Sequence, residues 1–252
     1  MYRKISRVDI IIPVYNEQSC LERNVLQLYH YLTKVADFSW DIVIADNAST
    51  DKTPQIARDL ISAHKSISYA WLPIKGRGLA LRNTFLQSNA DVVCYMDADL
   101  STNLIYLKLL IEGIACGFDI AIGSRLLQAS RIKRRLKREI FSRIYNSMIK
   151  CLFFNKFSDA QCGFKALRTE VAKKLIPLVE NNNWFFDTEI LLLAEYNKFR
   201  IFEVPVEWTE DIGTKVNIGK TVLEDILGLV RMRLSMHKKY SKDENKFADL
   251  HL

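Results

Sequence analysis

No stretch of this 252-residue chain approaches the roughly eighteen consecutive apolar residues needed to cross a bilayer. The opening MYRKISRVDI is charged and has no apolar core ending in small residues, so it does not read as a secretory leader. Cysteine is sparse. Cys20, Cys94, Cys116, Cys151 and Cys162 are odd in number, widely separated and never spaced CxxC, and the four histidines are scattered, which argues against a disulfide framework or a zinc knuckle. Nine glycines and five prolines are too few for a collagenous or low-complexity chain, and no internal repeat is found. The expectation is a cytosolic globular protein, either soluble or held on a membrane surface.

What is present is an ordinary core-forming composition, with 49% hydrophobic residues, enough for one large domain or two small ones. The charge is less ordinary. Lys and Arg number 36 against 29 Asp and Glu, and the segment RIKRRLKREIFSR (131–143) holds net +6 of the overall +7. A basic balance suits nucleic acid, a membrane or an acidic substrate equally well, so its confinement to one segment is the informative part.

Short apolar runs alternate with longer amphipathic ones through the first half, the pattern of βαβ units and a mostly parallel sheet. Strands are expected at 8–12, 41–45, 67–72, 91–96 and 120–123, with helices at 17–35, 53–63, 79–88 and 103–115. Several strands run directly into polar residues: Tyr15-Asn16-Glu17, Asp46-Asn47 and Asp97-Ala98-Asp99. The carboxyl edge of such a sheet is where ligands bind. Beyond Gly123 the alternation stops. A basic amphipathic stretch (131–154) leads to a loop at 158–164, two helical segments, a strand at 200–206 and a helix at 221–236, followed by a charged tail.

Asp97-Ala98-Asp99, placed where the apolar run VVCYM ends, can hold a hard divalent cation and so orient the phosphates of a nucleotide. Alone it is weak, because the same residues suit a solvated turn ahead of a helix capped by Ser101, Thr102 or Asn103. Its company is more specific. IIIPVYNE, IADNASTDKT, KGRGLALRN, MDADLST, IGSR, DAQCGFKAL, WFFDTEILLLAE and EVPVEWTEDIGTKV occur in this order between residues 10 and 216. Together they resemble the inverting family 2 glycosyltransferases, and most closely the polyprenyl-phosphate branch that includes the dolichyl-phosphate glucosyltransferases and dolichol-phosphate mannose synthases. The resemblance implies an α/β GT-A fold with a central, mostly parallel sheet, flanking helices, amphipathic interfacial helices and no membrane span.

Several residue roles are implied by that resemblance. Pro13, Tyr15, Glu17 and Asp46 would line the base and ribose pocket; plain core packing is the competing reading for Tyr15. Arg77, Asp97, Ala98, Asp99 and Lys215 would contact the nucleotide sugar, with Asp97 and Asp99 on a Mg²⁺ or Mn²⁺ ion. Asp159, Asp187 and Glu189 would touch the donor sugar or anchor loops, although a helix-capping role suits Asp187 as well. Asn47 stands where the family usually has Asp, and Thr84 where it often has Gly. The WTE at Trp208-Thr209-Glu210 and the CGFK turn favour UDP-glucose over GDP-mannose, leaving UDP-N-acetylhexosamine open.

Polyprenyl phosphate has a second pKa of about 6, so its oxygen arrives ionised and needs no general base. It needs cations that position it, and the forked donors of arginine suit that task. Arg125, Arg138 and Arg143 are the candidates, with Asp97, Asp99 and Arg125 expected to carry the chemistry; Arg131, Lys133, Arg134, Arg135 and Lys137 read as membrane contacts. The apolar residues from Ile132 to Phe153 recur at helical spacing beside these cations, as in a helix lying in a headgroup interface, with plain core packing as the alternative. The expected organisation is a catalytic domain over 1–215, including that helix, and a second amphipathic helix with a charged tail over 216–252. Association would be peripheral, on the cytoplasmic face of an anionic membrane, either direct or through a separate membrane protein. Two rival functions stand beside this one. Transfer could run to a saccharide or protein acceptor with Asp187 or Glu189 as base. Alternatively, the basic helix could bind nucleic acid without catalysis, a reading disfavoured by the apolar stripe and the DxD. Oligomeric state is left open.

Overall fold

The computed structural model of the chain describes residues 2–210 and 221–235. Its centre is a seven-stranded sheet. The strands in chain order are β1 (Arg7–Val14), β2 (Ser39–Asn47), β3 (Ile67–Leu72), β4 (Val92–Met96), β5 (Ile120–Ser124), β7 (Phe164–Arg168) and β8 (Ile201–Pro205). Their spatial order is β3-β2-β1-β4-β7-β5-β8. All neighbours pair in parallel except at β7, which runs antiparallel to both β4 and β5. The inner strands are buried on both faces, as sheets covered by helices require.

Helices α1 (Leu21–Val35), α2 (Thr53–Ala63), α3 (Arg77–Gln87) and α4 (Leu107–Ala115) connect the parallel strands. In α1 the apolar residues Leu21, Val25, Leu28 and Leu32 fall on one face and fill one of two core clusters. The second cluster lies on the opposite side, built from Phe85, Tyr95, Phe185 and Phe186 among others. It includes residues of α5 (Leu136–Phe153), α6 (Thr169–Leu175), α7 (Phe186–Tyr196) and α8, the helix over 221–235. Leu229 and Met232 bury α8 in that cluster; the expected boundary at 215/216 lies outside the described residues.

Three details differ from the pattern reading. The centre of the sheet is closed by β7, a strand the apolar pattern hides because Lys165 interrupts the run FKALR; here that lysine is fully buried. The basic stretch does not begin as a helix: Arg131–Lys133 forms strand β6, paired with β9 (Glu207–Thr209). α5 starts only at Leu136, where the Glu210 carboxylate accepts the N–H of Arg135 and sits favourably against the helix dipole. On its other side β9 meets the segment after the DxD, through an antiparallel bridge between Thr102 and Trp208 and the bond from the Thr209 N–H to the Ser101 carbonyl. Thus β9 ties residues 101–103 to the basic segment.

Candidate active site

The carboxyl edge of β1, β2 and β4 presents three loops, and each turns on a non-glycine residue in the left-handed region: Asn16 (φ 56°), Ala48 (φ 67°) and Leu100 (φ 51°). Such a backbone costs roughly 1–2 kcal/mol per residue and persists where surrounding contacts enforce it. The contacts are visible. The Asn16 Oδ1 accepts the Thr50 N–H at 2.7 Å, the Ser49 N–H donates to Asp46 at 2.9 Å, and the Ser101 N–H donates to Asp99 at 2.9 Å. The capping alternative is met separately, since Asn103 accepts the Ile105 N–H at the turn that follows.

On the nucleoside side, Pro13 is buried, and Tyr15 and Glu17 are half-buried. The ring of Tyr15 carries the Lys75 ammonium 3.6 Å from its centroid, so one face of the ring holds a cation. Asp46 is wholly buried, one oxygen taking the Ser49 N–H and the other the Tyr69 hydroxyl at 2.7 Å. Its neighbour Asn47 donates to the Val14 carbonyl at 2.6 Å and accepts the Gly76 N–H at 3.2 Å, which fastens the base strand to the KGRG turn. An aspartate here would lack the donor to Val14. At Gly78 a Cβ would press on Phe186 and the backbone of Asn182, so this close approach requires glycine. Thr84 returns its hydroxyl to the Ala80 and Leu81 carbonyls.

Beneath the DxD runs a line of alternating charges. Arg77 is nine-tenths buried and bonds Asp97 at 2.8 Å with one nitrogen and Asp187 at 2.5 Å with another. Asp187 also holds the Lys165 ammonium at 2.5 Å and accepts the Tyr95 hydroxyl. Burial would raise the Asp187 carboxyl, but Arg77 and Lys165 hold it below the usual carboxylate range. The same pair of carboxylates, Asp187 and Asp97, lifts Arg77 against its own desolvation. A Cβ at Gly163 would fall inside the Asp97 carboxylate, so the CGFK turn makes room for it. The structure therefore places Arg77 and Asp187 together with Asp97. Lys165, the fourth member, closes the CGFK turn, and nothing local in the sequence pairs it with Asp187.

Glu189 is buried apart from this line, between the Asn181 N–H at 2.8 Å and Arg231 of α8 at 2.6 Å. On the other side of the DxD, Arg125 makes a two-pronged bond to the buried Asp159, from Nε at 2.7 Å and Nη2 at 2.9 Å, and its own N–H adds a third. Burial pushes the Asp159 carboxyl up, and Arg125 more than reverses that. Arg138 pairs with Glu210 at 2.8 Å, and Arg143 with Glu139 at 2.6 Å. Arg134, expected on the surface with its neighbours, is turned inward instead, with a side chain only 5% exposed and paired to Glu139. Lys215 lies outside the described residues.

Among the described residues no group of three or more His, Cys, Asp or Glu stands ready to hold a metal. Asp97 and Asp99 offer two carboxylates on one turn, a donor set that suits a cation taking its remaining ligands from diphosphate and water.

The expected interfacial stripe divides in two. Tyr145 and Ile149 are core, with Met148, Leu152 and Phe153 packed against them. Leu136, Ile140, Phe141 and Ile144 stand outside at 55–79% exposure, and Leu223, Leu227, Val230 and Leu234 of α8 do likewise at 52–60%. No helix among the described residues is long and apolar enough to cross a membrane.

A sheet of this order with one reversed strand, carrying a DxD at its carboxyl edge, is that of the GT-A nucleotide-sugar transferases. Glucosyl-3-phosphoglycerate synthase of Mycobacterium tuberculosis, solved with Mn²⁺, UDP-glucose and phosphoglyceric acid, has this fold, with a TM-score of 0.68 over 90% of this chain and 80% of that one at 15% identity. The chain belongs to glycosyl transferase family 2, whose profile matches residues 9–176. Glycosyltransferase AglD of Haloferax volcanii is 34% identical over 226 residues, 88% of this chain but 35% of that protein. The dolichyl-phosphate beta-glucosyltransferase of Saccharomyces cerevisiae is 26% identical over 95% of this chain and 78% of its own length. Its Dictyostelium discoideum namesake is 29% identical over 90% and 73%. The chain thus spans about a third of AglD and about three quarters of these glucosyltransferases.

Proposed function

We propose that this protein transfers glucose from UDP-glucose to the phosphate of a membrane polyprenyl phosphate, with inversion at the anomeric carbon. The observation that carries this reading is the state of the two acids nearest the donor side. Asp187 is locked between Arg77 and Lys165, and Glu189 between Arg231 and a backbone N–H, both buried. Both carboxylates are already spent on buried donors, which supports an acceptor that arrives already ionised. The arginines gathered near Trp208 suit such an acceptor, and the dolichyl-phosphate glucosyltransferases named above act on one by name.

In this reading an acceptor phosphate oxygen attacks the anomeric carbon and the nucleoside diphosphate leaves on the opposite side. Pro13, Tyr15, Glu17 and Asp46 receive the nucleoside, while Arg77 holds the Asp97 carboxylate in place. Asp97 and Asp99 would hold a Mg²⁺ or Mn²⁺ ion, which when bound offsets the charge of the departing diphosphate. Arg125, oriented by Asp159, contacts the acceptor phosphate with Arg138 and Arg143, and Lys215 contacts the donor diphosphate. Leu136, Ile140, Phe141 and Ile144 rest in the headgroup region on the cytoplasmic face of an anionic membrane, beside Lys133, Arg135 and Lys137, and the exposed face of α8 adds a second contact.

The test is direct. Protein incubated with radiolabelled UDP-glucose, Mg²⁺ and liposomes containing a polyprenyl phosphate is expected to yield a glucose-labelled lipid. Binding of nucleotide without a lipid-linked sugar from any UDP- or GDP-hexose would overturn the reading.

A further inference from the structure

Arg134 is the one cation of the 131–137 cluster that cannot serve the membrane surface. Its side chain is 5% exposed, against 82% for Arg131 three residues earlier. The cause is local. β6 pairs with β9, placing Ile132 opposite Trp208, and the chain then bends into α5, so the residue at the bend points back over the indole. Two guanidinium carbons consequently lie near the same ring, Arg125 at 5.6 Å from its centroid and Arg134 at 5.9 Å. They are close enough for Arg125 to oppose the charge of Arg134, which burial already disfavours.

Burying two like charges together is costly unless anions answer both. Arg125 is answered by Asp159, which takes two of its nitrogens. Arg134 is answered less completely. Its Nε donates to Glu139 at 2.7 Å, but the same acid also serves Arg143 at 2.6 Å. The Nη2 of Arg134 is within 2.6 Å of Glu139 yet makes no aligned hydrogen bond, and it is buried from solvent. A desolvated guanidinium nitrogen with unspent N–H donors, beside a second guanidinium and near the N-terminus of an eighteen-residue helix, is an arrangement for a further anion. Its planar donors match the oxygens of a phosphomonoester.

We propose that Arg134 binds the acceptor phosphate, sharing it with Arg125 across Trp208. This deepens the reading above and rests on it. Sequence position had placed Arg134 with the membrane-contacting cations; the structure assigns it inward, while Arg131, Lys133, Arg135 and Lys137 remain on the surface.

The experiment separates the two kinds of cation and the two kinds of phosphate. Wild type, Arg134→Gln, Arg134→Lys and Arg135→Gln would be titrated calorimetrically with farnesyl phosphate, a soluble isoprenyl phosphomonoester, and with phosphatidylglycerol vesicles, whose phosphates are diesters. UDP-glucose binding is measured alongside, as a readout that loss of folding would move. R134Q is expected to weaken farnesyl phosphate at least about tenfold while leaving UDP-glucose and vesicle binding within about twofold. R134K, which keeps the charge but not the fork, should recover part of that loss. R135Q should do the reverse, weakening the vesicles and sparing farnesyl phosphate. In the transfer assay, R134Q should raise KM for the polyprenyl phosphate and leave KM for UDP-glucose unchanged. Were R134Q not to fold, R134K carries the same comparison, with a smaller loss confined to farnesyl phosphate.

Farnesyl phosphate affinity unchanged in both Arg134 variants would overturn this assignment alone. So would a loss of vesicle binding in R134Q equal to that in R135Q. A wild-type protein that binds UDP-glucose but no isoprenyl phosphate would overturn the assignment and the acceptor reading together.

Discussion

α1 and α5 are similar in length and opposite in construction. α1 turns Leu21, Val25, Leu28 and Leu32 to the core and its charged residues to water. α5 turns Ser142, Tyr145, Asn146 and Ile149 inward, where Asn146 bonds the Ser142 carbonyl and accepts the Ala160 N–H, and leaves Leu136, Ile140, Phe141 and Ile144 outside. The first helix is amphipathic for a protein core in water. The second has polar residues inside and apolar residues outside, which makes sense against an apolar surface. In the proposed function, the donor half is thus finished by its own packing, whereas the acceptor half is finished by the membrane it would rest on.

The junction of the halves should be the most fragile place. Asp187→Ala would leave Arg77 and Lys165 buried without their shared anion, and is expected to cost about 3–5 kcal/mol in chemical denaturation. Next comes the helix contrast. Leu28→Ala in α1 should cost about 2–5 kcal/mol, while Ile144→Ala in α5 should stay within about 0.5 kcal/mol. Equal costs would break the comparison. Replacing Leu136, Ile140, Phe141 and Ile144 together with Ser should reduce sedimentation with anionic liposomes by at least about tenfold, with little change in stability. Neutralising Lys133, Arg135 and Lys137 should weaken the same binding by about 1 kcal/mol per residue at low salt, and progressively less as salt rises.

The smallest effect concerns how α8 is seated. Asp225 is buried beside Gln161, with Glu224, Asp187 and Tyr145 the titratable groups acting on it, and one of its oxygens has no hydrogen bond. Burial and the charge of Glu224 push its carboxyl up to about 7 from an ordinary 3.8. The native state therefore holds this proton more tightly than the unfolded chain does, so stability should fall as pH rises from about 4 to about 7 and then level off. Asp225→Asn should remove that slope and raise Tm at pH 8 while leaving it little changed at pH 4; an unchanged pH profile would place the acid in water.

Legibility in the sequence follows the same division. The parallel strands and their helices stood out because burial on one or both faces leaves periodic apolar runs, and the DxD and FDTE stood out because carboxylates at strand and helix ends are conspicuous. β7 did not, because Lys165 occupies a core position and its charge is cancelled by Asp187, about twenty residues away in sequence. β6 did not, because three residues carry too little pattern and their partner, β9, is some 75 residues distant. Arg134 is misplaced for a related reason: five cations among the seven residues 131–137 look alike until one of them is turned.

The amino-acid order alone was enough for the α/β class, the ligand-binding edge, the family resemblance and the concentration of positive charge after IGSR, since each is written in local periodicity or contiguous motifs. Tertiary structure decided which charges are spent and on what. Arg77 is committed to two aspartates, Asp46 to Tyr69 and Ser49, Arg125 to Asp159, and Arg134 to the interior. Ion pairs between residues far apart in the chain depend on distance and burial, and neither exists until the sheet has closed around its one reversed strand.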